Sequence, residues 1–463
     1  GMEQPGGYGK SFHRTLHDPC KVRAAVFDDG RQRVALVGID ALAIRRPQVV
    51  AARKAIQERC GIPPEAVLIA ASHSHSSGPT CMVLPGEYDH GSDLVKELAY
   101  EKSSCADAGY LERVVQQIAA AVVQADKNRA PAQYSIGSGH AEGIAFNRRF
   151  RMKHGGAFTH PGRGNPDIVE PAGPTDPEVG VVGAWDGEGK LLGCIVSFAC
   201  HGTTNPGGIS ANWIYYLEQT IRDAMGEDAV VVFLPGCSGD VTQVDNLSPY
   251  AAKSSKYYAE LIGGTVGAEA LKVLLRVERG PLTPIYYKTK TLTLNRRTPR
   301  PERVAQSLEL VQKAPKDVGH TEWTFAKEIV LLDTLLKKEP KKDVEIQAIQ
   351  LGPAVFLTNP AEFFCQSGLD IKAGSSFPFT FPVSLANDCT GYVPTEEALS
   401  ATGGGYETRL TAYSNLEPKA ATRFVETGIA LSKELTPGAV PEPQKAPPFT
   451  APWSYGGVPP EVD

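Results

Sequence analysis

The nine cysteines of this chain, Cys20, Cys60, Cys81, Cys105, Cys194, Cys200, Cys237, Cys365 and Cys389, include no Cys-x-x-Cys pair. That absence argues against a thiolate zinc knuckle and against a thioredoxin-like redox motif. An odd number also leaves at least one thiol outside any disulfide within the chain. No apolar run approaches the roughly 20 residues that span a bilayer, so no transmembrane segment is expected. No basic cluster stands out: 47 Lys and Arg face 52 Asp and Glu, a net charge of -5. Nucleic acid, which selects for a concentrated basic surface, is therefore not an expected partner. There is no internal repeat, and the Gly-Met opening lacks the charged, apolar and small-residue regions of a secretory signal.

What remains is a globular composition, 42% hydrophobic and 21% charged, over 463 residues. That length suits one large domain or two ordinary ones. Buried strands are expected at 33–44 (RVALVGIDALAI), 66–72, 193–200 and 229–235, each a short apolar run closed by small or turn-forming residues. The segment 110–125 carries Leu111, Val114, Val115, Ile118, Val122 and Val123 on one helical stripe, with Glu112, Arg113, Gln116 and Gln117 opposite. A second helix over 48–60 stops at Gly61, with Pro63 beyond. Strands alternating with helices predict an α/β layered domain, its sheet mainly parallel or mixed and flanked by helices. Residues 151–180, dense in Gly and Pro, read as a long surface loop of the kind that shapes binding sites. A hairpin centred on Gly352-Pro353 and a strand over 379–386 follow. The expected division is a domain over 1–435 and a Pro-rich tail over 436–463.

Polar loops follow three of these strands. The first runs into His73-Ser74-His75-Ser76-Ser77-Gly78-Pro79, the second into His201-Gly202-Thr203-Thr204-Asn205, the third into Gly236-Cys237-Ser238-Gly239-Asp240-Val241-Thr242. In open α/β sheets, ligands sit outside the carboxyl ends of the strands, so one cleft is expected to gather all three loops. On extended backbone a His-x-His pair turns both rings to one side. One ring is then placed as a metal ligand and the other as a proton donor or outer partner. Neutral imidazole is the commonest zinc ligand, and catalytic zinc takes about three protein ligands and keeps a place for water.

Several strings in order along the chain extend this picture. AASHSHSSGP at 70–79 resembles the Thr/Ser-His-Thr-His-Ser-Gly-Pro motif of the neutral, non-lysosomal ceramidases. Phe146-Asn147-Arg148-Arg149 is similar to that family's Phe-Asn-Arg element. SFACHGTTN, followed by ISANWIYYLEQTI, resembles its strand-histidine segment and the helix after it; PGCSGDVTQ resembles its Gly-Asp-Val-Ser-Pro-Asn segment. NPAEFFCQSG at 359–368 resembles its Pro-Gly-Glu-Phe segment. LANDCTGYVPTEEA with the later GGYETR resembles the region of a family tyrosine and a Tyr-Glu pair. The resemblance implies a hydrolase that binds Zn2+ through His73, His201, Glu362 and Tyr392. It implies that His75, Arg148 and Tyr406 face the substrate carbonyl or the oxyanion formed from it. It further implies amidase action on a lipid or small-molecule N-acyl substrate, in sphingolipid metabolism, by an exported (periplasmic or secreted) protein.

From the residues alone each assignment has a rival. Glu362 is also placed to cap a helix beginning near Phe363, the reading its residues favour over ligation, and Tyr392 to be a plain strand aromatic. Arg148 and Arg149 read also as a solvated pair, and Gly239-Asp240 as a tight turn capped by Asp240. The family's serine is replaced by Thr242, and its following proline by Gln243. Threonine keeps the hydroxyl but adds a methyl and a stiffer χ1, so Thr242 is a nucleophile, a direct assistant to metal-activated water, or a structural residue. The chain begins almost at Gly7-Tyr8, which resembles a family Gly-Tyr, and is too short to hold the family's immunoglobulin-like C-terminal domain. Stretches 87–109 and 151–180 are longer than the family pattern leads one to expect. The functional alternatives are thus a zinc amidohydrolase of an N-acyl bond, a zinc hydrolase of a non-lipid ester or amide, and a degenerate homologue that binds without turnover.

Overall fold

A computed structural model describes residues 1–463. The expected elements form with shifted ends. Strands run over Arg33–Ile39, Val67–Ala71, Leu191–Phe198 and Val230–Pro235. The striped helix spans Ala108–Lys127 and buries Leu111, Ile118, Ala119, Val122 and Val123, the face its periodicity assigns to the core. The helix Arg46–Cys60 ends at Gly61, whose φ of 74° is a left-handed stop.

The sheets are mixed. Val22–Asp28 pairs antiparallel with Arg33–Ile39, which pairs parallel with Val67–Ala71. A second sheet runs in the order Val230–Pro235, Leu191–Phe198, Glu178–Trp185, Gln133–His140 and Arg279–Gly280, with only the first pair parallel. A third orders Ile285–Asn295, Lys341–Leu351, Ala354–Asn359 and Phe379–Ser384, and its last pair is parallel. One hydrophobic core joins all three, from Leu36 and Ile69 through Ile195 and Val232 to Phe356 and Phe381. Helices Trp213–Met225 and Ser255–Arg276 pack together against the second sheet, while Ala420–Lys433 lies on the third. No helix is long and apolar enough to cross a membrane.

The loop expected over 151–180 is not structureless. Arg149–Met152 is the centre of a small sheet flanked by Ala157–Thr159 and Ile168–Pro171. Its strands are three or four residues long, too short to leave an apolar period in the sequence. Residues 436–463 hold no helix or strand.

Candidate metal centre

Strands Val67–Ala71, Leu191–Phe198 and Val230–Pro235 end on one side, and backbone hydrogen bonds stitch their loops together. His75 N donates to Gly202 O (2.9 Å), His201 N to Val241 O (3.1 Å), Gly239 N to Phe363 O (2.8 Å) and Glu362 N to Gly391 O (2.9 Å). Residue 239 must be glycine for the third of these seams, because a Cβ there would lie 2.5 Å from the Glu362 carbonyl oxygen. Glu362 sits in a two-residue strand directly opposite Tyr392. The candidate ligands are thus presented by paired backbone. Glu362 does not cap the neighbouring helix, which begins at Cys365. Asp240 does that work: its Oδ1 accepts from Cys365 N (2.8 Å) and its Oδ2 from Asn147 Nδ2 (2.8 Å).

His73, His75 and His201 place one nitrogen each within 4.8 Å of one another. The two rings of the His-x-His pair do converge, with Nε2 atoms 3.3 Å apart, but not through strand alternation. His73 lies beyond the strand end at φ 62°, so a left-handed turn aims its ring. The orientation of each imidazole is fixed from behind. His73 Nδ1 lies 2.9 Å from Leu42 O, and His201 Nδ1 lies 2.6 Å from Ser238 O. A carbonyl only accepts, so both Nδ1 atoms carry a proton and both rings turn Nε2 inward, a lone pair wherever the ring is neutral. Glu362 Oε2 stands 3.1 Å from each of those nitrogens.

Two imidazole lone pairs and a carboxylate oxygen facing each other repel unless a cation lies between them. Burial, Arg148 and His73 hold the His201 pKa down to about 3, and burial with the neighbouring imidazoles puts His75 well below the usual value. Burial opposes charge on Glu362, and what holds its carboxyl well below the usual range is positive charge on the side of His73 and His201. Neutral imidazole and carboxylate are the states a metal requires. Tetrahedral zinc with bonds of ~2.0 Å holds its ligands about 3.3 Å apart, close to the spacings of His73, His201 and Glu362. The donor set fits the ion.

Arg148 is buried, not solvated, and ties the rest together. Its Nε donates to Glu407 Oε1 (2.7 Å), and its Nη2 to Gly239 O (2.8 Å), Tyr392 Oη (3.0 Å) and Tyr406 Oη (3.1 Å). Nη1 reaches His201 Nε2 at 3.3 Å. Tyr392 and Tyr406 share a short hydroxyl contact of 2.5 Å. Burial raises the Tyr406 phenol to about 12, against the pull of Arg148, and burial together with Glu362 raises that of Tyr392. Arg149 is buried too, but points away and donates to Gly404 O. Thr242 is buried nearby; its hydroxyl accepts from Val244 N at 3.3 Å and bonds to none of the clustered side chains. Gln243 bridges to Thr203 in the His201 loop through both ends of its amide.

Solved structures share this architecture. A ceramidase complexed with C2 superposes with a TM-score of 0.65 at 20% identity, covering 91% of this chain and 71% of the other. The neutral ceramidase from Pseudomonas aeruginosa gives 0.64 at 20% identity, covering 91% and 70%. The chain has the neutral ceramidase fold. No family model matches the sequence, and none of the curated proteins does. At this identity the likeness to neutral ceramidase speaks for the fold, and the chemistry has to be read from the side chains.

Two residues of the centre escaped the sequence. Tyr413 donates to Glu362 Oε1 at 2.8 Å and lies 3.2 Å from Cys389 Sγ. It stands in Thr-Ala-Tyr-Ser-Asn, where no pattern marks it. Glu407 belonged to the Tyr-Glu pair in GGYETR, but only the structure shows it fully buried against Arg148 and Thr159. The N-terminal segment also reaches the site. Gly6 packs on His75 so closely that a Cβ would fall 2.2 Å from Nδ1, and Gln4 Nε2 donates to the His75 carbonyl (3.0 Å).

Proposed function

We propose that this chain is a zinc-dependent hydrolase of an N-acyl amide bond. The observation that carries the reading is the inward convergence of His73 Nε2, His201 Nε2 and Glu362 Oε2, each held from behind by a hydrogen bond. Tyr392, opposite Glu362, completes the proposed ligand set. Zinc in that place supplies a Lewis acid that acidifies water toward a pKa of ~7 and polarises the scissile carbonyl.

The protein's own groups do the rest. Leu42 O and Ser238 O fix the tautomers that leave Nε2 free. Tyr413 orients the Glu362 carboxylate, as hydrogen-bonded outer partners do for metal ligands. Glu407 and Gly239 O hold the Arg148 guanidinium in one plane. Arg148 and Tyr406 then present preset donors to an oxygen gaining negative charge, the electrostatic help that acyl transfer needs. His75, kept neutral by burial and its neighbours, is free to take a proton from the attacking water or return one to the leaving amine. Thr242 serves the backbone of its loop instead of attacking.

The test is hydrolysis of N-acyl amides by the zinc-loaded protein and by His73→Ala and His201→Ala. Both variants should lose the metal and at least ~1000-fold in kcat/KM. Full activity in either would refute the reading.

A further inference from the structure

Four arginines fall within eight residues at 296–303 (RRTPRPER). Arg296 is taken up by Glu339, to which its Nη2 donates at 2.7 Å. Arg300 and Arg303 line an open pocket of about 530 Å³, and Arg409 joins them from the segment that follows Tyr406 and Glu407. Arg297 lies beside the pocket, its Nη1 3.4 Å from Thr408 O and its Nη2 3.2 Å from Ser414 O. The facing wall comes from the helix His320–Lys338, whose Glu322, Phe325 and Ile329 share one face at helical spacing.

Charge in this pocket is unbalanced. Its one carboxylate, Glu322, pairs with Arg303 at 2.7 Å. Arg300 and Arg409 make neither an ion pair nor a side-chain hydrogen bond. Arg409 instead lays its guanidinium over the Phe325 ring, 4.2 Å from the centroid, a stacking that leaves the donor edges free. Arg297 meets backbone carbonyls only; its Nε has no partner, and burial without a facing carboxylate lowers its pKa. The helix Pro301–Leu310 starts on the same rim, with Arg300 as its N-cap and no side chain capping it. Its unpaired first-turn amides and its dipole add to the positive field. Glu302, in that first turn, is not part of the lining. An arginine-lined pocket so short of carboxylates concentrates anions. A carboxylate is satisfied by a single guanidinium fork, whereas a phosphoryl group offers three oxygens that accept from several sides. Phe325, Ile329 and Leu410 add an apolar wall beside the arginines.

We propose that this pocket binds the phosphoryl group of a small organic phosphate ester, its oxygens on Arg300, Arg303 and Arg409 and its carbon part on Phe325, Ile329 and Leu410. The site is separate from the metal centre but close to it along the chain. Tyr406 and Glu407 lie in the 3-10 turn Tyr406–Thr408 that leads directly into Arg409. Binding there does not depend on turnover at the metal centre.

Calorimetric titration of the full chain with phenyl phosphate and with inorganic phosphate, at one ionic strength, tests this. Phenyl phosphate should bind at one equivalent and at least ~10-fold more tightly than inorganic phosphate, because burial of the ring adds to the same charge pairing. Arg300→Gln and Arg409→Gln should each weaken that binding at least ~10-fold, since each removes a charge-assisted donor fork, with the denaturant midpoint unchanged. Arg300 is exposed, so its variant keeps the test decisive if Arg409→Gln disturbs the packing of Phe325. Three results would overturn the proposal: no binding of phenyl phosphate, equal affinity for inorganic phosphate, or undiminished binding in Arg300→Gln, the mark of a phosphate held elsewhere. Each would leave the hydrolase reading standing.

Discussion

The strand Leu191–Phe198 joins two unlike places. Its first residues, Leu192, Cys194 and Ile195, line a cavity of about 360 Å³ whose walls are mostly apolar, with Ala24, Val26, Val182 and Val232 among them. Its last leads into His201 and a cluster of imidazoles, carboxylates, phenols and one guanidinium. The larger and more apolar space lies at the amino end of the strand, and the smaller polar one beside the chemistry. Size and apolarity alone would mark the wrong end of this molecule. What distinguishes the carboxyl end is that its buried polar groups are oriented, each with an assigned partner, around a gap that suits a cation. The apolar end holds the sheets together and asks nothing of orientation.

Substitutions at the two ends should therefore separate stability from activity. The largest effect is expected for Glu407→Ala, which strips the buried carboxylate from Arg148. Breaking such a pair costs about 3–5 kcal/mol, so both the denaturant midpoint and kcat should fall. A variant with normal kcat would show that Arg148 needs no orienting. At the other end, Ile195→Ala should cost on the order of 2–4 kcal/mol in the same unfolding measurement while kcat and zinc content stay unchanged. A loss of zinc in Ile195→Ala would break the contrast.

Tyr413→Phe keeps the ring and removes one hydrogen bond to Glu362. Outer partners of metal ligands are worth about 10–100-fold in metal affinity, and competition with a chelator would show it. Acidification sharpens the contrast from a different side. His75 and His201 have folded pKa values below the unfolded value of about 6.5. The stability they contribute is present above that pH and is lost as pH falls through it toward the folded values. Thermal unfolding of the metal-free protein should be flat above pH 7 and decline below about 6.5, and His201→Ala should flatten the decline. The smallest effect belongs to Thr242→Val, whose lost hydrogen bond to Val244 is worth about 0.5–1.5 kcal/mol, with kcat changed by less than about threefold. A collapse of kcat there would make Thr242 the nucleophile after all.

The sequence made some of this legible and hid the rest for physical reasons. Apolar runs ending in polar loops located the carboxyl-end cleft, because strand burial and strand termination are local. The striped helix Ala108–Lys127 was readable for the same reason. His73 and His75 were visible as a pair, but the left-handed turn that converges them was not, since it depends on the loop around Gly202. Glu362, Tyr392, Arg148 and Tyr406 came only from resemblance; the structure brings them together by pairing segments far apart in the chain, as in Arg148 with Glu407, 259 residues on. Tyr413 and the approach of Gly6 to His75 belong wholly to tertiary packing. Neither leaves a mark in its neighbouring residues.

The central claim is that the carboxyl-end cluster holds one metal ion through His73, His201 and Glu362. The direct test is an anomalous difference map collected at the zinc edge from crystals of the protein grown with zinc. A single strong peak between His73 Nε2, His201 Nε2 and the Glu362 carboxylate is the predicted result. A map with no peak there, or with zinc bound only elsewhere, would contradict it.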